Sequence, residues 1–404
     1  MKYKNQNFIF VVLDALRGDH VNDQYMPFLN SMKKKSIHIE SLELGSGFCE
    51  RSEIFFGQSP EESGFVHAIS PNSASKPYSW MSNTLINLLK FLELNLFLKK
   101  VIRRLLWRFS ISKGEGMYPQ RIPLHFLKRV GLTEDDIDFE DYAKKLKKGL
   151  LFKLISKDYR IDWTYFTSLS SELTSSDEDR LKSLPNALEK IGKHFIPVYI
   201  SSPDVYGHRF GPHSKELIAE IRKLDTKLES FYKRCKVANP NTRICFIGDH
   251  GMETVTKVLN LHKEITFLAS KSNIKEGQDF NIFIDSTCIR FWFKDESNEK
   301  IRNFILNIKD NKLFNKNGHF LDENLRKNED LPPIKEMADL IWWASKGVQI
   351  APDFFHDSDQ GKAGMHGYLK IDNISTGFLI CESESEQISY YPVCRCNELG
   401  DMLL

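Results

Sequence analysis

Three short, continuously apolar segments, each followed within a few residues by an aspartate, constrain the fold of this 404-residue chain most strongly. They cover 8–13, 196–200 and 243–247, and Asp14, Asp204 or Asp249 follows each one. Such β-branched and aromatic runs predict parallel strands that are buried on both faces. One aspartate after a strand is usually a helix cap. Since ligands bind at the carboxyl ends of strands in open α/β sheets, three aspartates there predict a bound cation.

Composition limits the remaining possibilities. The 56 basic and 54 acidic residues nearly balance, which excludes a general electrostatic attraction to nucleic acid. The seven cysteines are odd in number and lack paired spacing, which favours a reducing compartment over a disulfide framework. No secretory signal and no membrane-spanning apolar run is evident. We therefore expect a cytoplasmic protein, with association at a membrane surface as an alternative.

The pattern along the chain predicts an α/β core with two additional regions. The strand signals assign 1–64, 186–270 and 355–404 to the core. Region 65–185 is basic and rich in helical patterns, and it is interpreted as a helical insertion that caps the core. Region 271–354 is interpreted as a smaller satellite lobe. A chain of this length is long enough for such a division.

Aspartate and histidine recur at turn positions in four separate segments. Asp204 and His208 are four residues apart, so a helical turn would place both on one face. A single histidine is more often structural than a ligand, but four segments that supply only Asp and His favour a metal site. These ligand types suit zinc, and also manganese or iron. The candidate ligands are Asp14, Asp204, His208, Asp249, His250 and His366.

The order of these segments resembles the alkaline phosphatase superfamily, in particular its type I phosphodiesterase and nucleotide pyrophosphatase family. The sequence has an early Asp14, then P-D-x-x-G-H-x-x-G-P around Asp204, D-H-G-M at 249–252, and G-x-H-G around His366. Residues 13–19 also look like the opening motif of the sulfatase relatives. Because the sulfatase signature C-x-P-x-R is not satisfied, we do not expect a sulfatase.

The resemblance implies an alkaline phosphatase-like three-layer sandwich with a mainly parallel central sheet. It also implies two divalent ions, with zinc the first choice and manganese the alternative. One ion would be held by Asp204, His208 and His366. The other would be held by the remaining three candidate ligands and a nucleophile, which attacks phosphorus and forms a covalent intermediate that water releases.

The sequence departs from the family pattern at the nucleophile. A G-x-x-P-x-x-x-G turn at 57–64 matches the family, but counting back from it leads to Gly47, which has no side chain. Cys49 is the first candidate, because a helix start and a metal would both lower its pKa. Ser46 and Ser52 are the alternatives. A fourth possibility is direct attack by water bound to the metals.

The sequence also suggests how substrate could bind. Arg51 and Arg17 are the candidate donors to phosphoryl oxygens. Segment 85–109 is strongly apolar and contains six basic residues and one glutamate. It fits packing within the insertion or a homodimer contact, and it also fits a helix at a membrane interface. The last interpretation would make a lipid-linked substrate plausible, whereas the others favour a nucleotide or nucleotide-sugar.

We therefore predict a metal-dependent enzyme that hydrolyses phosphodiester or pyrophosphate bonds in a phosphate-ester substrate. A phosphomonoesterase or a phosphoryl transferase of the same fold is the first alternative. A catalytically degenerate metal-binding interaction module is the second. Since a degenerate site would leave clustered carboxylates without their ions, intact ligand positions favour the enzyme.

Overall fold

A computed structural model describes residues 6–48, 50–112, 117, 119, 121–133, 137–166, 175–188, 192–355, 360–383 and 388–404. Cys49, the first candidate nucleophile, lies outside the described residues. The strands are β1 (Gln6–Leu13), β2 (Ser36–Glu43), β3 (Ile69–Ser70), β4 (Gly131–Leu132), β5 (Arg160–Ile161), β6 (Lys193–Ile200), β7 (Arg243–Gly248), β8 (Glu253–Thr254), β9 (Lys257–Leu259), β10 (Phe280–Ile284), β11 (Cys288–Phe293), β12 (Gly318–Phe320), β13 (Leu340–Ala344), β14 (Val348–Ile350), β15 (Gly364–Met365), β16 (Gly377–Glu382) and β17 (Ser389–Arg395).

The described residues also form seventeen α-helices. They are α1 (Pro27–Lys33), α2 (Glu50–Phe56), α3 (Pro60–Ser63), α4 (Asn83–Leu92), α5 (Leu96–Ser112), α6 (Leu124–Leu127), α7 (Phe139–Leu146), α8 (Gly149–Ser156), α9 (Asp177–Ser183), α10 (Ser202–Phe210), α11 (Lys215–Ala238), α12 (Leu261–Lys271), α13 (Glu299–Lys309), α14 (Lys312–Asn317), α15 (Glu323–Asn328), α16 (Ile334–Met337) and α17 (Leu399–Leu403).

A seven-stranded sheet with the order β17-β2-β16-β7-β1-β6-β5 forms the centre of the molecule. β1 pairs in parallel with both β6 and β7, so the three predicted strands lie side by side. β5 and β17 also pair in parallel with their neighbours, whereas β16 is antiparallel to β7 and β2. This arrangement confirms the predicted α/β class with a mainly parallel central sheet.

Both faces of the central sheet are buried, as its continuous apolar strands predict. In β1, Ile9 and Val11 pack into a cluster with apolar residues of α1 and α11. Phe8 and Phe10 pack on the opposite face, with apolar residues of α2, α8 and α17. Successive side chains of a strand point to opposite faces, so β1 contributes to both cores. Helices, sheet and helices therefore form three layers.

A second, antiparallel sheet with the order β10-β11-β13-β12 lies within 271–354. Its apolar residues share one hydrophobic cluster with residues between 69 and 132, so part of the helical region packs on this sheet. The later part of the helical region contacts the central sheet, because β5 pairs with β6 and α8 packs against α2. The division into three regions stays a prediction, and the described parts of 65–185 contact both sheets.

The apolar segment 85–109 folds into two helices, α4 and α5, that are separated by residues 93–95. α5 is 17 residues long. Among the helices of the described residues, none combines the length and the apolar character that crossing a bilayer requires.

Candidate metal centre

Three of the predicted ligands converge in a first group at the edge of the central sheet. Asp204 and His208 are one turn apart on α10, which follows β6, and His366 follows β15. Nε2 of His208 lies 3.1 Å from Oδ1 of Asp204, and Nε2 of His366 lies 3.6 Å from the same oxygen. That oxygen is buried and accepts no hydrogen bond from the described residues. The group therefore presents an unsatisfied carboxylate oxygen to two imidazole nitrogens.

The other three predicted ligands form a second group beside the first. Asp14 follows β1, and Asp249 and His250 follow β7, so the parallel pairing of these strands brings them together. Nε2 of His250 lies 3.2 Å from Oδ1 of Asp14. Oδ1 of Asp249 accepts hydrogen bonds from the backbone N–H groups of Ala15 and His250, at 3.0 and 2.9 Å. These bonds fix the carboxylate in place.

Backbone hydrogen bonds also fix which nitrogen of two histidines faces the carboxylates. Nδ1 of His208 lies 2.8 Å from the carbonyl oxygen of Gly364, and Nδ1 of His250 lies 2.9 Å from that of Gly251. Because a carbonyl only accepts, each Nδ1 carries the hydrogen. In the neutral ring, the lone pair is then on Nε2, the nitrogen that faces Asp204 or Asp14. Metal-binding histidines are commonly oriented in this way.

Two further side chains at the second group were not predicted from the sequence. The hydroxyl of Tyr199, on β6, donates a hydrogen bond to Asp14. Glu50, the first residue of α2, lies near enough for its charge to act on Asp249 and His250. Tyr199 was part of an apolar strand and Glu50 was the acidic start of a helix, so neither carried a motif. Only the fold shows that they adjoin the ligands.

The second group contains more negative charge than its surroundings neutralise. Burial, reinforced by the charges of Asp14 and Glu50, raises the pKa of Asp249. Burial opposes the charged form of His250, but the neighbouring carboxylates outweigh this effect and raise its pKa. Burial also opposes ionisation of Asp14, but hydrogen bonds from His250 and Tyr199 lower its pKa. A buried carboxyl group that ionises as reluctantly as that of Asp249 favours an added cation. The donor chemistry of the residues therefore fits a divalent metal.

A cavity of about 210 Å³ opens beside both groups. His250 and His366 line it, together with Gly47, Glu50 and Lys370. A concave pocket next to a cluster of titratable groups is the usual place for a small-molecule substrate.

Residues 118–369 match the family model of type I phosphodiesterase/nucleotide pyrophosphatase. The chain belongs to this family. The match confirms the predicted family, and at the level of the family it supports the predicted phosphodiesterase-type hydrolase, with metal dependence typical of the group.

Curated members of the family match over short segments. Venom phosphodiesterase from Macrovipera lebetinus is 34% identical over 64 residues, which are 15% of this chain and 8% of that protein. The human ectonucleotide pyrophosphatase/phosphodiesterase family member 1 is 33% identical over 86 residues, which are 20% of this chain and 9% of that protein. The matched segments therefore span less than a tenth of the length of these relatives.

Solved structures of the family match the fold along nearly the whole chain. Murine ectonucleotide pyrophosphatase/phosphodiesterase 5, as an inactive variant in complex with AMP, gives a TM-score of 0.63 at 15% identity, over 98% of this chain and 94% of that one. The human protein of the same name gives a TM-score of 0.64 at 14% identity, over the same shares. At these identities the similarity shows the fold alone, and it supports the predicted alkaline phosphatase-like architecture.

Two of the positions considered for a nucleophile lie in the loop before α2, and a third lies in α2 itself. Gly47, the position reached by counting back from the 57–64 turn, has φ +126°, and a Cβ there would lie 2.3 Å from the carbonyl oxygen of Val66. The backbone therefore leaves no space for a side chain. Ser46 is buried and its hydroxyl donates to the carboxylate of Glu329, which commits that hydroxyl to a structural bond. Ser52 is buried in α2.

The two candidate phosphate-binding arginines have different surroundings. The guanidinium of Arg51 lies 5.5 Å from the ring centroid of Phe166 and 5.7 Å from that of Tyr199, and its charge acts on Asp14. Arg51 therefore adjoins the second group. Arg17 donates to both carboxylate oxygens of Asp19, at 2.9 and 2.7 Å, and to the carbonyl of Met252 at 2.8 Å. These hydrogen bonds use all three nitrogens of the Arg17 guanidinium.

Proposed function

We propose that this protein is a metal-dependent hydrolase that cleaves phosphodiester or pyrophosphate bonds by in-line attack at phosphorus. The observation that carries the proposal is the contact between the two ligand groups. The imidazoles of His250 and His366, one from each group, stack with 4.2 Å between their ring centroids. The six candidate ligands come from four segments and form two groups that meet at these rings, and both rings line the cavity.

The donor set supports two divalent ions, zinc first and manganese second. Asp204, His208 and His366 would hold one, and Asp14, Asp249 and His250 would hold the other. Two ions in such a site stabilise the attacking and leaving oxygens of a displacement at phosphorus. Imidazole and carboxylate donors together are typical of zinc, and the oxygen-rich second group also suits manganese.

The protein side chains supply binding and orientation. Arg51 is the proposed contact to a phosphoryl oxygen, and the position of its guanidinium beside the second group and over two aromatic rings supports this role. Tyr199 orients Asp14 through its hydroxyl. Arg17 stays a proposed second contact, although it would have to exchange its bonds to Asp19 and Met252.

Cys49 stays the proposed nucleophile, since it precedes the first residue of α2 and so adjoins Glu50 and Arg51 in sequence. Direct attack by water is the second candidate. Two features of the loop favour attack by water. The backbone at Gly47 leaves no space for a side chain, and the hydroxyl of Ser46 already donates a hydrogen bond to Glu329.

A nucleotide or nucleotide-sugar is the substrate class that we propose first, since a structurally similar protein of the family was solved in complex with AMP. A lipid-linked phosphate is the second class. A phosphomonoesterase, a phosphoryl transferase and a degenerate binding module are the outcomes that would replace the proposal.

The test is hydrolysis of bis-p-nitrophenyl phosphate against p-nitrophenyl phosphate by the purified protein, with added zinc or manganese. The variants are Asp249→Ala and Cys49→Ala, with Asp295→Ala, an exposed aspartate, as the matched control. We expect diester cleavage that needs metal, is lost in Asp249→Ala and is retained in the control. Loss in Cys49→Ala identifies the nucleophile, whereas retention assigns the attack to water. A preference for the monoester, or no cleavage by metal-loaded protein, would overturn the proposal.

A further inference from the structure

The helical hairpin formed by α4, α5 and residues 93–95 exposes an unusual amount of apolar surface. The exposed fraction of the side chain is 80% for Leu94, 78% for Leu96 and 72% for Phe97. Phe91 and Leu88 on α4 are 69% and 55% exposed. Contiguous exposed apolar residues on a folded protein usually mark an interaction surface. These five side chains are therefore not part of the hydrophobic core.

The exposed residues of α5 form a stripe rather than a scatter. Phe97, Val101, Leu105 and Phe109 follow one another at intervals of four, and all four are exposed. Residues four apart lie on the same face of a helix. Leu106, which lies outside this stripe, is buried in the cluster shared with the second sheet. α5 is therefore anchored through one face and presents a second apolar face outward.

A basic stripe runs beside the apolar one. Lys100, Arg104 and Arg108 are also four apart and exposed, and each directly precedes a member of the apolar stripe. Segment 85–109 contains six basic residues and one glutamate, although the whole chain has a net charge of only +2. The positive charge is thus concentrated at the exposed apolar surface.

Hydrogen bonds of a buried arginine hold the two helices of the hairpin together. Arg103 is buried and pairs with Glu93 through Nε and Nη2, at 2.6 and 3.0 Å. Its Nη1 donates to the carbonyls of Pro119 and Ile122, at 3.1 and 2.7 Å. These bonds join the end of α4, the body of α5 and the following segment. The apolar tip is therefore held in a defined position in the free protein.

We propose that the α4–α5 hairpin docks on the surface of an anionic lipid membrane. An apolar face inserted at the level of the headgroups, with basic side chains beside it, is how interfacial helices bind such membranes. The basic stripe complements anionic headgroups. A second copy of the chain would instead bring an identical basic stripe against the first. Neither helix crosses a bilayer, so the contact is peripheral.

The proposal does not depend on the hydrolytic activity, and its test reads vesicle binding directly. The purified full-length protein is floated with phosphatidylcholine vesicles that contain or lack phosphatidylglycerol, at low and high salt. We expect binding to the anionic vesicles that weakens with salt, as the screening of surface charge requires. Equal binding to neutral vesicles, or no binding to either, would overturn the proposal.

Two variants separate the apolar and basic contributions. Leu96→Glu with Phe97→Glu places charge at the tip, and Lys100→Gln with Arg104→Gln removes part of the basic stripe. We expect each pair to weaken vesicle binding by about tenfold or more. Val237→Glu, at an 85% exposed valine near the end of α11, is the matched control and is expected to bind as wild type.

Two further measurements check that the variants remain folded and keep the oligomeric state of the wild type. We expect the thermal unfolding temperature and the elution volume on size exclusion to stay unchanged, because the substituted side chains are exposed. A concentration-dependent dimer that the tip variants dissociate, without vesicle binding by the wild type, would assign the surface to a second copy instead.

Discussion

The imidazole rings of His250 and His366 stack at 4.2 Å between centroids, with 27° between their planes. His250 belongs to the group of Asp14 and Asp249, while His366 belongs to the group of Asp204 and His208. The two groups are therefore in direct contact and form one site. We expect each group to hold its own ion within this site, so that substitution of a ligand in one group removes mainly the ion of that group.

The metal content of the protein should follow its ligand groups. We expect the wild type to retain about two divalent ions per chain after dialysis, and His208→Ala to retain about one, because His208 belongs to the first group only. Inductively coupled plasma mass spectrometry measures the ions. His213→Ala, at an exposed histidine near α10, is the control and should retain the wild-type content. Equal metal content in wild type and His208→Ala would contradict the assignment.

The hydroxyl of Tyr199 should tune the metal site without being a ligand. Tyr199→Phe removes the hydrogen bond to Asp14 and leaves that carboxylate with its contact to His250. Loss of a partner of this kind lowers metal affinity or activity by roughly 10–100-fold, and we expect that range here. Isothermal titration with zinc measures the affinity. Tyr232→Phe removes a comparable hydroxyl bond to Glu382, at 2.7 Å, outside the site and should leave the affinity unchanged.

The sequence was sufficient to predict which of the candidate ligands lie close together. Asp14 and Asp249 could be brought together because each ends an apolar strand, and such strands pair in parallel. Asp204 and His208 could be placed on one face because they are four residues apart. His366 was found through its motif, since the contact of its loop with α10 has no periodic signal. The order of the motifs also predicted the family and the central sheet.

The rest depended on tertiary placement. Tyr199 is opposite Val12 in the register of β6 and β1, so its hydroxyl reaches Asp14, two residues beyond Val12. Without that register, Tyr199 looks like any aromatic residue of a buried strand. The amphipathic pattern of segment 85–109 fits a helix whose apolar residues are buried, and it fits equally a helix that exposes them. The structure shows which residues are buried, because one face of α5 packs on the protein and a second apolar face is exposed.

Glu53 should make the stability of the protein depend on pH. Its carboxyl is 5% exposed, and burial raises its pKa to about 8 from the ordinary value of 4.5. The folded protein therefore keeps a proton that the unfolded chain releases. The contribution of Glu53 to stability should be fully present near pH 4 and should be lost as the pH rises towards 8.

Glu53→Gln removes this dependence, because the amide oxygen can still accept the hydrogen bond from Gly45, at 2.7 Å in the wild type. Near pH 8 we expect the variant to exceed the wild type by on the order of 2–4 kcal/mol in free energy of unfolding. Near pH 5 the difference should be small. Urea unfolding across this range measures it, with Glu299→Gln, at an exposed glutamate, as the control. Parallel curves for wild type and Glu53→Gln would refute the prediction.

Gly47 should resist even the smallest side chain, although it occupies the position where the family pattern leads to a nucleophile. Its φ of +126° is unfavourable for other residues, and a Cβ would meet the carbonyl oxygen of Val66 at 2.3 Å. Since that oxygen belongs to the backbone, the loop itself must move. We expect Gly47→Ala to lower the free energy of unfolding by about 2 kcal/mol or more.

Gly64→Ala separates the two causes of this loss. Gly64 also has a positive φ, +73°, but a Cβ there would meet nothing within 4 Å. Its substitution should cost only the backbone preference, roughly 1 kcal/mol. Urea unfolding of both variants gives the difference, which isolates the steric contribution at Gly47. If Gly47→Ala were as stable as Gly64→Ala, the loop could accept a side chain, and a nucleophile engineered at this position would become possible.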